Sequence, residues 1–237
     1  MAEQLGFVAG ATGLTGRSVV EVLRERGLGA IAHVRPDSSR LEAWRSRFEA
    51  MGAEVDTTPW DEDALTETLR ERAPQLVFAL LGTTKRRARR ADDPSAETYE
   101  AVDYGLTAML RRAAERCGHR PRFVYLSSMG VKEGTSNAYL AARARIEKEL
   151  REGALPWTSV RPSFIVGDRD EARAGEAIGS TVADGLLGAL GALGARRLRD
   201  RYRSITGPEL ARALVSVALD PARRDQVVEA DALRSTA

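Results

Sequence analysis

The chain has 237 residues, which is enough for one large domain with a substantial core. Its 36 basic and 34 acidic residues nearly balance, which argues against a protein that coats nucleic acid. The single cysteine, Cys117, excludes an internal disulfide, and with only two histidines beside it we expect no bound metal. This composition suits a reducing compartment, and the first residues lack the pattern of a signal peptide, so we expect a cytoplasmic protein.

Short apolar runs alternate with helical patterns along the chain. The predicted strands are residues 5–9, 29–34, 53–56, 75–81, 122–127, 157–161 and 226–230. The predicted helices are residues 15–26, 40–51, 61–72, 96–117, 138–152 and 207–219. Such alternation predicts parallel strands joined by right-handed crossovers, and the apolar strands indicate a sheet covered on both faces. We therefore predict an α/β protein with a doubly wound parallel sheet, forming a single domain over residues 1–237.

The regular alternation lapses between about residues 166 and 204. This segment is first charged, then rich in glycine and finally rich in arginine, so we predict a small lid or cap inserted towards the C-terminus. Its glycine-rich part, residues 178–195, is interrupted by Asp184 and is weaker than the roughly 20 apolar residues that a membrane-spanning helix needs. A buried or interface helix is therefore favoured there, while the oligomeric state stays open.

The stretch GATGLTGR, residues 10–17, has the spacing of a loop that cradles a phosphate. Gly10 permits a tight turn, Gly13 lets the backbone approach a pyrophosphate, and Gly16 lets the following helix pack closely. Free backbone N–H groups and the positive helix end then favour an anion. Glycine spacing alone is weak evidence. The predicted strand before it and helix after it favour dinucleotide binding over a turn without a ligand.

The end of the second predicted strand, AHVRPDSSR, bears on the choice of cofactor. An acidic residue there usually reads a free ribose 2′-hydroxyl, whereas an arginine suits a 2′-phosphate. Arg35 holds this place, Asp37 comes only after Pro36, and Arg17 in the first helix could form the other side of a phosphate clamp. The sequence therefore favours NADP(H) over NAD(H). The alternative is that Arg35 is a solvated loop residue.

Five motifs together resemble a known family. They occur in the order GATGLTGR, LLGTT at 80–84, LSSMG at 126–130, the helix YLAARARIEKEL at 139–150 and VRPSFIVGDRDEARAGE at 160–176. The combination resembles the atypical short-chain dehydrogenase/reductases, and within them the branch named for the Tat-interactive-protein oxidoreductases, which are NADPH-binding relatives of the epimerase/dehydratase group. This resemblance implies a Rossmann-type sheet with the cofactor lying along the carboxyl ends of the strands.

The resemblance also implies three segments that contact the cofactor. The phosphate loop is matched by Gly10, Thr12, Gly13, Leu14, Thr15 and Gly16. The segment that passes the adenosine ribose and pyrophosphate is matched by Leu81, Gly82 and Thr83. The segment beside the nicotinamide is matched by Pro162, Ser163 and Ile165. The family often has glycine where this chain has Ser163, so the fit around the carboxamide differs there.

Catalytic roles follow from the same resemblance. In such enzymes a serine hydrogen-bonds the substrate carbonyl, and here that is Ser128 or, less favoured, Ser127. A tyrosine transfers the proton, which is Tyr139. A lysine four residues later assists the tyrosine and holds the nicotinamide ribose, and Arg143 stands in its place. Ser127, Tyr139 and Arg143 would therefore also border the cofactor.

The exchange of lysine for arginine has defined chemical consequences. Arginine supplies a permanent positive charge, which favours a phenolate beside it, but its fork is larger and planar and does not readily release a proton. We therefore expect Arg143 to preserve cofactor binding while turnover is slower than with lysine.

Two hypotheses about function remain. One is an NADPH-dependent oxidoreductase that reduces a carbonyl or related unsaturated group of a small molecule. The other is an NADP(H)-binding regulator or scaffold with little or no turnover. Two basic runs, residues 85–90 and 195–203, are most simply solvated loops. They could also attract an anionic substrate or an acidic membrane surface, and we expect no specific nucleic-acid partner.

Overall fold

A computed structural model describes residues 4–83, 98–166 and 204–233 of the chain. In these residues seven parallel strands form one sheet, in the order β3-β2-β1-β4-β5-β6-β9. The strands are β1 (Leu5–Ala9), β2 (Gly29–His33), β3 (Glu54–Asp56), β4 (Leu76–Ala79), β5 (Arg122–Leu126), β6 (Trp157–Arg161) and β9 (Gln226–Glu229). Two further strands, β7 (Ile165–Val166) and β8 (Ile205–Thr206), pair in parallel as a small second sheet.

Helices cover both faces of the main sheet. They are α1 (Leu14–Glu25), α2 (Leu41–Ala50), α3 (Glu62–Arg72), a π-helix (Tyr99–Leu106), α4 (Thr107–Arg116), α5 (Ala138–Glu152), α6 (Gly207–Leu219) and α7 (Ala230–Leu233). Alternate strand residues point to opposite faces. Val8 and Phe78 therefore lie in the core beneath α1, α2 and α6, whereas Phe7 and Val77 lie in the core beneath α3, α4 and α5. The predicted doubly wound parallel sheet is thus confirmed, and its strand order is that of a Rossmann-type fold.

The register of the strands aligns their carboxyl ends. Ala9 at the end of β1 lies opposite Ala79 at the end of β4, Ala79 lies opposite Tyr125 of β5, and Leu126 lies opposite Val160 of β6. The loops that leave these strands therefore meet at one edge of the sheet. The order of the strands reverses between β1 and β4, and ligands of such sheets bind at this switch point.

Two elements differ from those that the sequence predicts. The helix predicted over 96–117 begins, in the described residues, as a π-helix from Tyr99 and becomes α-helical only at Thr107. The strands β7 and β8 contain two residues each, which is too short for a periodic pattern to predict.

Several predictions fall on residues outside the described part of the chain. The proposed lid, apart from its ends at Val166 and Ser204, and both basic runs belong to this group. The single domain over 1–237 likewise stays a prediction. Among the described residues, no helix combines the length and the apolar character needed to cross a membrane.

Arg122 stabilises the sheet at the edge opposite the site loops. This side chain opens β5, is 7% exposed, and donates to the Thr158 hydroxyl at 2.7 Å, to the Ala218 carbonyl at 2.9 Å and to the Asp220 carbonyl at 2.7 Å. Burial lowers the pKa of Arg122 from its ordinary value, but the carbonyls at the end of α6 supply compensating negative charge. The guanidinium thus joins β5, β6 and α6.

Replacing Arg122 with methionine tests this contact. We expect Arg122→Met to lower the free energy of unfolding by about 2–4 kcal/mol, because two buried carbonyls lose a charged donor. Urea denaturation measures the change. Arg212→Met, which alters an exposed arginine of α6, is the matched control and should stay within about 0.5 kcal/mol of the wild type. Equal effects of the two substitutions would show that the Arg122 contacts do not stabilise the fold.

Candidate functional site

The glycine-rich loop is built by close backbone contacts. Gly10 has a φ of +85°, and a Cβ atom placed on it would lie 2.7 Å from the Leu80 carbonyl oxygen of the neighbouring loop. A Cβ atom on Gly16 would lie 2.1 Å from the Gly10 carbonyl oxygen. Gly16 therefore lets α1 approach the loop backbone itself, so tightly that no side chain fits at either position.

Gly13 occupies the exposed tip of this loop. Its N–H donates to the Gly10 carbonyl at 3.0 Å, and a Cβ atom placed on it would contact only that carbonyl, at 3.2 Å. Gly13 also serves as the N-cap of α1, and in the described residues neither a capping side chain nor an acidic residue satisfies the first turn. Backbone N–H groups and the helix dipole are thus available to an anion. The loop fits the pyrophosphate of a dinucleotide.

The hydroxyls and the apolar residue of the loop differ in accessibility. Thr12 is half-buried, whereas Thr15 is buried and offers its hydroxyl less readily. Leu14 turns towards α6, where a Cβ atom on Gly207 would lie 3.0 Å from its side chain. Of these three residues, Thr12 is therefore the best placed to contact a ligand through its side chain.

Three arginines lie near the end of β2. Arg35 is exposed, and its Nε lies 3.7 Å from a carboxylate oxygen of Asp37. The guanidinium carbons of Arg17 and Arg40 lie 5.7 Å and 4.9 Å from the centre of the Trp44 ring, whose edge is otherwise buried in the core. Arg17 and Arg40 thus both lie over Trp44, and Arg35 lies in the loop that follows β2. Arg40 was not among the predicted site residues.

The loop after β4 is attached to the π-helix. Leu81 is partly buried, Gly82 is exposed, and the Thr83 N–H donates to a carboxylate oxygen of Asp103 at 3.0 Å. Asp103 is fully buried. The backbone of this predicted cofactor segment is therefore fixed by a carboxylate beneath it.

Tyr139 lies in the first turn of α5. The Asn137 side chain caps this helix by accepting from the Leu140 N–H at 3.1 Å. The Tyr139 ring is half-buried and lies between two groups. The guanidinium carbon of Arg143 is 4.6 Å from its centre, and the Tyr99 ring meets it edge-on at 5.3 Å.

Arg143 is almost completely buried. It donates to the Leu126 carbonyl at the end of β5 and to Asp103 at 2.7 Å. Burial works to lower the pKa of Arg143, but Tyr125, Tyr139 and Asp103 outweigh it and raise that pKa above its ordinary value. The guanidinium is therefore a fixed cation against the inner side of the Tyr139 ring.

The two serines after β5 point in different directions. Ser127 is buried and donates to Glu147 of α5 at 2.6 Å, whereas Ser128 is half-exposed and donates to the Met129 carbonyl at 3.3 Å. Ser127, a predicted cofactor contact, thus uses its hydroxyl proton in a hydrogen bond to Glu147 of α5. Of the two, Ser128 offers a hydroxyl on the accessible side.

Glu147 is the second buried carboxylate of the site. It accepts from the Ser127 and Ser159 hydroxyls and from the Arg161 Nε, the last at 2.9 Å. Burial alone would raise the pKa of Glu147, but the hydrogen bonds from Arg161 and Ser127 bring it below its usual value. Glu147 therefore stays ionised and joins α5 to the ends of β5 and β6.

The predicted nicotinamide segment follows β6. Pro162 and Ser163 are buried, and the Pro162 carbonyl accepts from the Met129 N–H at 3.2 Å. Ile165 is half-buried in β7 and packs against the core beneath α1 and α6. The loops after β5 and β6 are thus joined through their backbones at the sheet edge that also carries Ser128.

Asp103 and Glu147 are functional candidates that sequence reasoning missed. A signal existed for each. Asp103 is the one charged residue in the run AVDYGLTAML, and Glu147 continues the four-residue spacing of Tyr139 and Arg143 along α5.

The strand order and the glycine loop define a Rossmann-type dinucleotide-binding protein. Residues 10–185 match the sequence profile of a family described as NAD(P)H-binding, and the chain belongs to this family.

Two fungal relatives illustrate the similarity to curated proteins. The chain is 28% identical over 170 residues to "Protein FMP52, mitochondrial" of Debaryomyces hansenii, covering 70% of this chain and 69% of the relative. It is 30% identical over 176 residues to "Protein fmp52, mitochondrial" of Aspergillus clavatus, covering 71% and 69%. The location in these names contradicts the expectation of a cytoplasmic protein, which is therefore wrong. Cysteine content, on which that expectation depended, reports redox conditions and does not distinguish one reducing compartment from another.

Solved structures share the fold. One from Bacillus halodurans, provisionally assigned as an NAD-dependent epimerase/dehydratase, superposes with a TM-score of 0.67 at 18% identity, over 94% of this chain and 92% of the other. An epimerase from Burkholderia cenocepacia, also provisionally assigned, gives a TM-score of 0.63 at 17% identity, over 95% and 74%. At these identities the likeness concerns the fold alone.

Two alanine substitutions separate the ligand role of the loop from its structural role. Gly13→Ala should change the free energy of unfolding by about 1 kcal/mol or less, because the exposed N-cap position has ordinary backbone angles and a Cβ there meets only the Gly10 carbonyl oxygen, at 3.2 Å. It should still weaken NADPH binding about tenfold, by placing a methyl group where the pyrophosphate approaches. Gly16→Ala should instead destabilise the fold. Calorimetric titration and urea denaturation measure the two effects, and undiminished affinity in Gly13→Ala would place the pyrophosphate elsewhere.

Proposed function

We propose that the chain is an NADPH-dependent oxidoreductase that reduces a carbonyl or related unsaturated group of a small molecule. We further propose that it belongs to the atypical short-chain dehydrogenase/reductases, in the Tat-interactive-protein branch whose motifs it resembles. The observation that carries the proposal is the half-buried Tyr139 ring, backed by the buried Arg143 cation, at the sheet edge that holds the glycine loop and Ser128.

Each residue has a distinct task in this reaction. When bound, NADPH would supply the hydride that reduces the substrate carbon. Ser128 donates a hydrogen bond to the substrate oxygen, and Tyr139 transfers its phenolic proton to that oxygen, so that the carbonyl becomes an alcohol. The Gly10–Gly16 loop holds the pyrophosphate.

The contacts of Arg143 support a positioning role in this proposal. Its two terminal nitrogens donate to Leu126 and Asp103, so they hold the guanidinium under the Tyr139 ring. A lysine at this place would carry three rotatable donors on a flexible stem, whereas the arginine fork is rigid and does not readily pass on a proton. We therefore expect slower proton transfer than a lysine would give.

The charges near β2 support NADPH as the cofactor. Arg35 is exposed at the place where an arginine suits a ribose 2′-phosphate, and Arg17 and Arg40 lie beside Trp44 nearby. Asp37 lies close to Arg35 and forms an ion pair with it. Its carboxylate is therefore less suited to accept a hydrogen bond from a ribose 2′-hydroxyl.

Arg35→Ala tests the choice of cofactor. One charge-assisted contact to a phosphate contributes roughly 1.5–3 kcal/mol, so the wild type should prefer NADPH over NADH by about tenfold or more, and the variant should lose most of that preference. Calorimetric titration with both cofactors measures it. Arg45→Ala, an arginine of α2 paired with Glu42 and Glu49, is the control and should leave the preference unchanged. Equal affinities in the wild type would remove Arg35 from the site.

Kinetics of two variants test the reaction itself. Tyr139→Phe should abolish NADPH oxidation with a panel of aldehydes, ketones and quinones while NADPH still binds, because only the phenolic hydroxyl is removed. Arg143→Lys should keep turnover, and should raise it if the arginine limits proton transfer. An active wild type that Tyr139→Phe does not impair would refute Tyr139 as the donor.

A regulator or scaffold is the second candidate function. The near-complete burial of Arg143 between Leu126 and Asp103 favours it, because such a residue can serve structure alone. In that case NADPH binds to the wild type and to both kinetic variants, yet none of them oxidises it with any member of the carbonyl panel.

A further inference from the structure

Two of the residue pairs that join the π-helix to α5 lie at the candidate site. Tyr99 contacts Tyr139, with ring centres 5.3 Å apart, and Asp103 receives a hydrogen bond of 2.7 Å from Arg143. Within each helix the two members are four residues apart. Two residues of α5, four apart, therefore contact two residues of the π-helix that are also four apart. The π-helix is a rare element that recurs at functional sites.

Both oxygens of the Asp103 carboxylate are in use. One accepts from Arg143, and the other accepts from the Thr83 N–H at 3.0 Å. Gly82 lies over this junction, since a Cβ atom on it would be 3.2 Å from Arg143 Nη2 and 3.4 Å from the Asp103 oxygen. One carboxylate thus connects the loop after β4, the π-helix and α5.

Stability does not explain this arrangement well. Burial raises the pKa of Asp103 above its usual value, although Arg143 and the Thr83 N–H oppose the rise. A raised pKa means that the stabilising contribution of this group is present below its unfolded-state pKa and is lost as the pH increases. Ionising this carboxyl in the fold therefore opposes stability, and buried ion pairs are often no more stable than apolar substitutes.

We propose that Asp103 is a positioning residue of the active site. It fixes Arg143 beneath Tyr139 and offsets the guanidinium charge beside the phenol. Through Thr83 it holds the predicted cofactor segment to the same ion pair. The part that concerns proton transfer rests on the proposed function, whereas the attachment of the cofactor segment does not.

The charge that the phenol experiences depends on its whole surroundings. Tyr99 and Asp103 face it from the π-helix, and Arg143 faces it from α5. Tyr125 of β5 lies behind Arg143, whose guanidinium carbon is 6.0 Å from its ring centre, and Glu147 of α5 is paired with Arg161. Asp103 is therefore the carboxylate that directly balances Arg143.

Asp103→Asn tests the attachment of the cofactor segment. Asparagine has an NH2 group in place of one carboxylate oxygen, so either the Thr83 N–H or Arg143 faces a donor and loses its acceptor. We expect calorimetric titration to show NADPH affinity reduced about tenfold. Arg122→Met, which destabilises the opposite edge of the sheet, is the control and should leave that affinity unchanged. If Asp103→Asn does not fold, Asp103→Ala/Arg143→Gln removes both charges together with the acceptor of the Thr83 N–H, and should show the same loss of affinity.

Ultraviolet titration of tyrosinate absorbance tests the electrostatic role without requiring turnover. The difference between the wild type and Tyr139→Phe isolates the ionisation of this phenol, and the same difference is measured in the Asp103→Asn background. The uncompensated guanidinium favours the phenolate, so ionisation should move to lower pH in Asp103→Asn and move back in the double variant. If NADPH is oxidised, the alkaline limb of the rate's pH profile should shift in the same direction as the ionisation of the phenol.

These experiments test the positioning role of Asp103 separately from the proposed reaction. Unchanged NADPH affinity together with unchanged phenol ionisation in Asp103→Asn, even with lower stability, would overturn the positioning role. A wild type that binds NADPH without turnover would reject the proposed reaction, and the two binding and titration results would still decide the role of Asp103.

Discussion

The close approach of two backbones at the switch point of the sheet determines the rest of the site. Gly10 passes so near the Leu80 carbonyl, and Gly16 so near the Gly10 carbonyl, that a methyl group at either position would overlap main-chain atoms. These contacts fix where α1 begins and how the loops after β1 and β4 lie against each other. An anion bound to the first loop is thereby brought beside the second, and through Asp103 beside α5. Main-chain packing thus sets the geometry in which the side chains act.

Three side chains on successive turns of α5 differ in how deeply they are buried. Tyr139 is half-buried, Arg143 is buried against it, and Glu147 is buried one turn further on. Each buried charge has a partner on another element, since Arg143 engages the π-helix and Glu147 engages the end of β6. Rigid partners would matter for the proposed role of Tyr139, because a proton donor must stay within hydrogen-bond reach of its acceptor. The contacts of the two inner residues hold α5 against the π-helix and the end of β6.

The sequence predicts the main sheet well for a physical reason. Strands buried on both faces are continuous apolar runs, and helices between them have a different period, so elements such as β1 and α5 are recognisable without tertiary information. The glycine loop is predictable because its spacing reflects backbone sterics. The π-helix is not predictable in this way, because an inserted residue per turn leaves the apolar pattern of 96–117 nearly unchanged. The partner of Arg143 was missed because the pairing of Asp103 with it spans 40 residues and exists only once the sheet has formed.

The pairing of β7 with β8 has a consequence for the diversity of such proteins. Ile165 lies opposite Ile205 and Val166 opposite Thr206, so the two chain ends that flank residues 167–203 are held side by side, at a strand spacing of about 4.8 Å. Chain length between two such fixed points can change at little entropic cost, because closure of a loop depends only weakly on its length. The number of residues between these two fixed strands can therefore differ among related proteins while the seven-stranded sheet stays as it is.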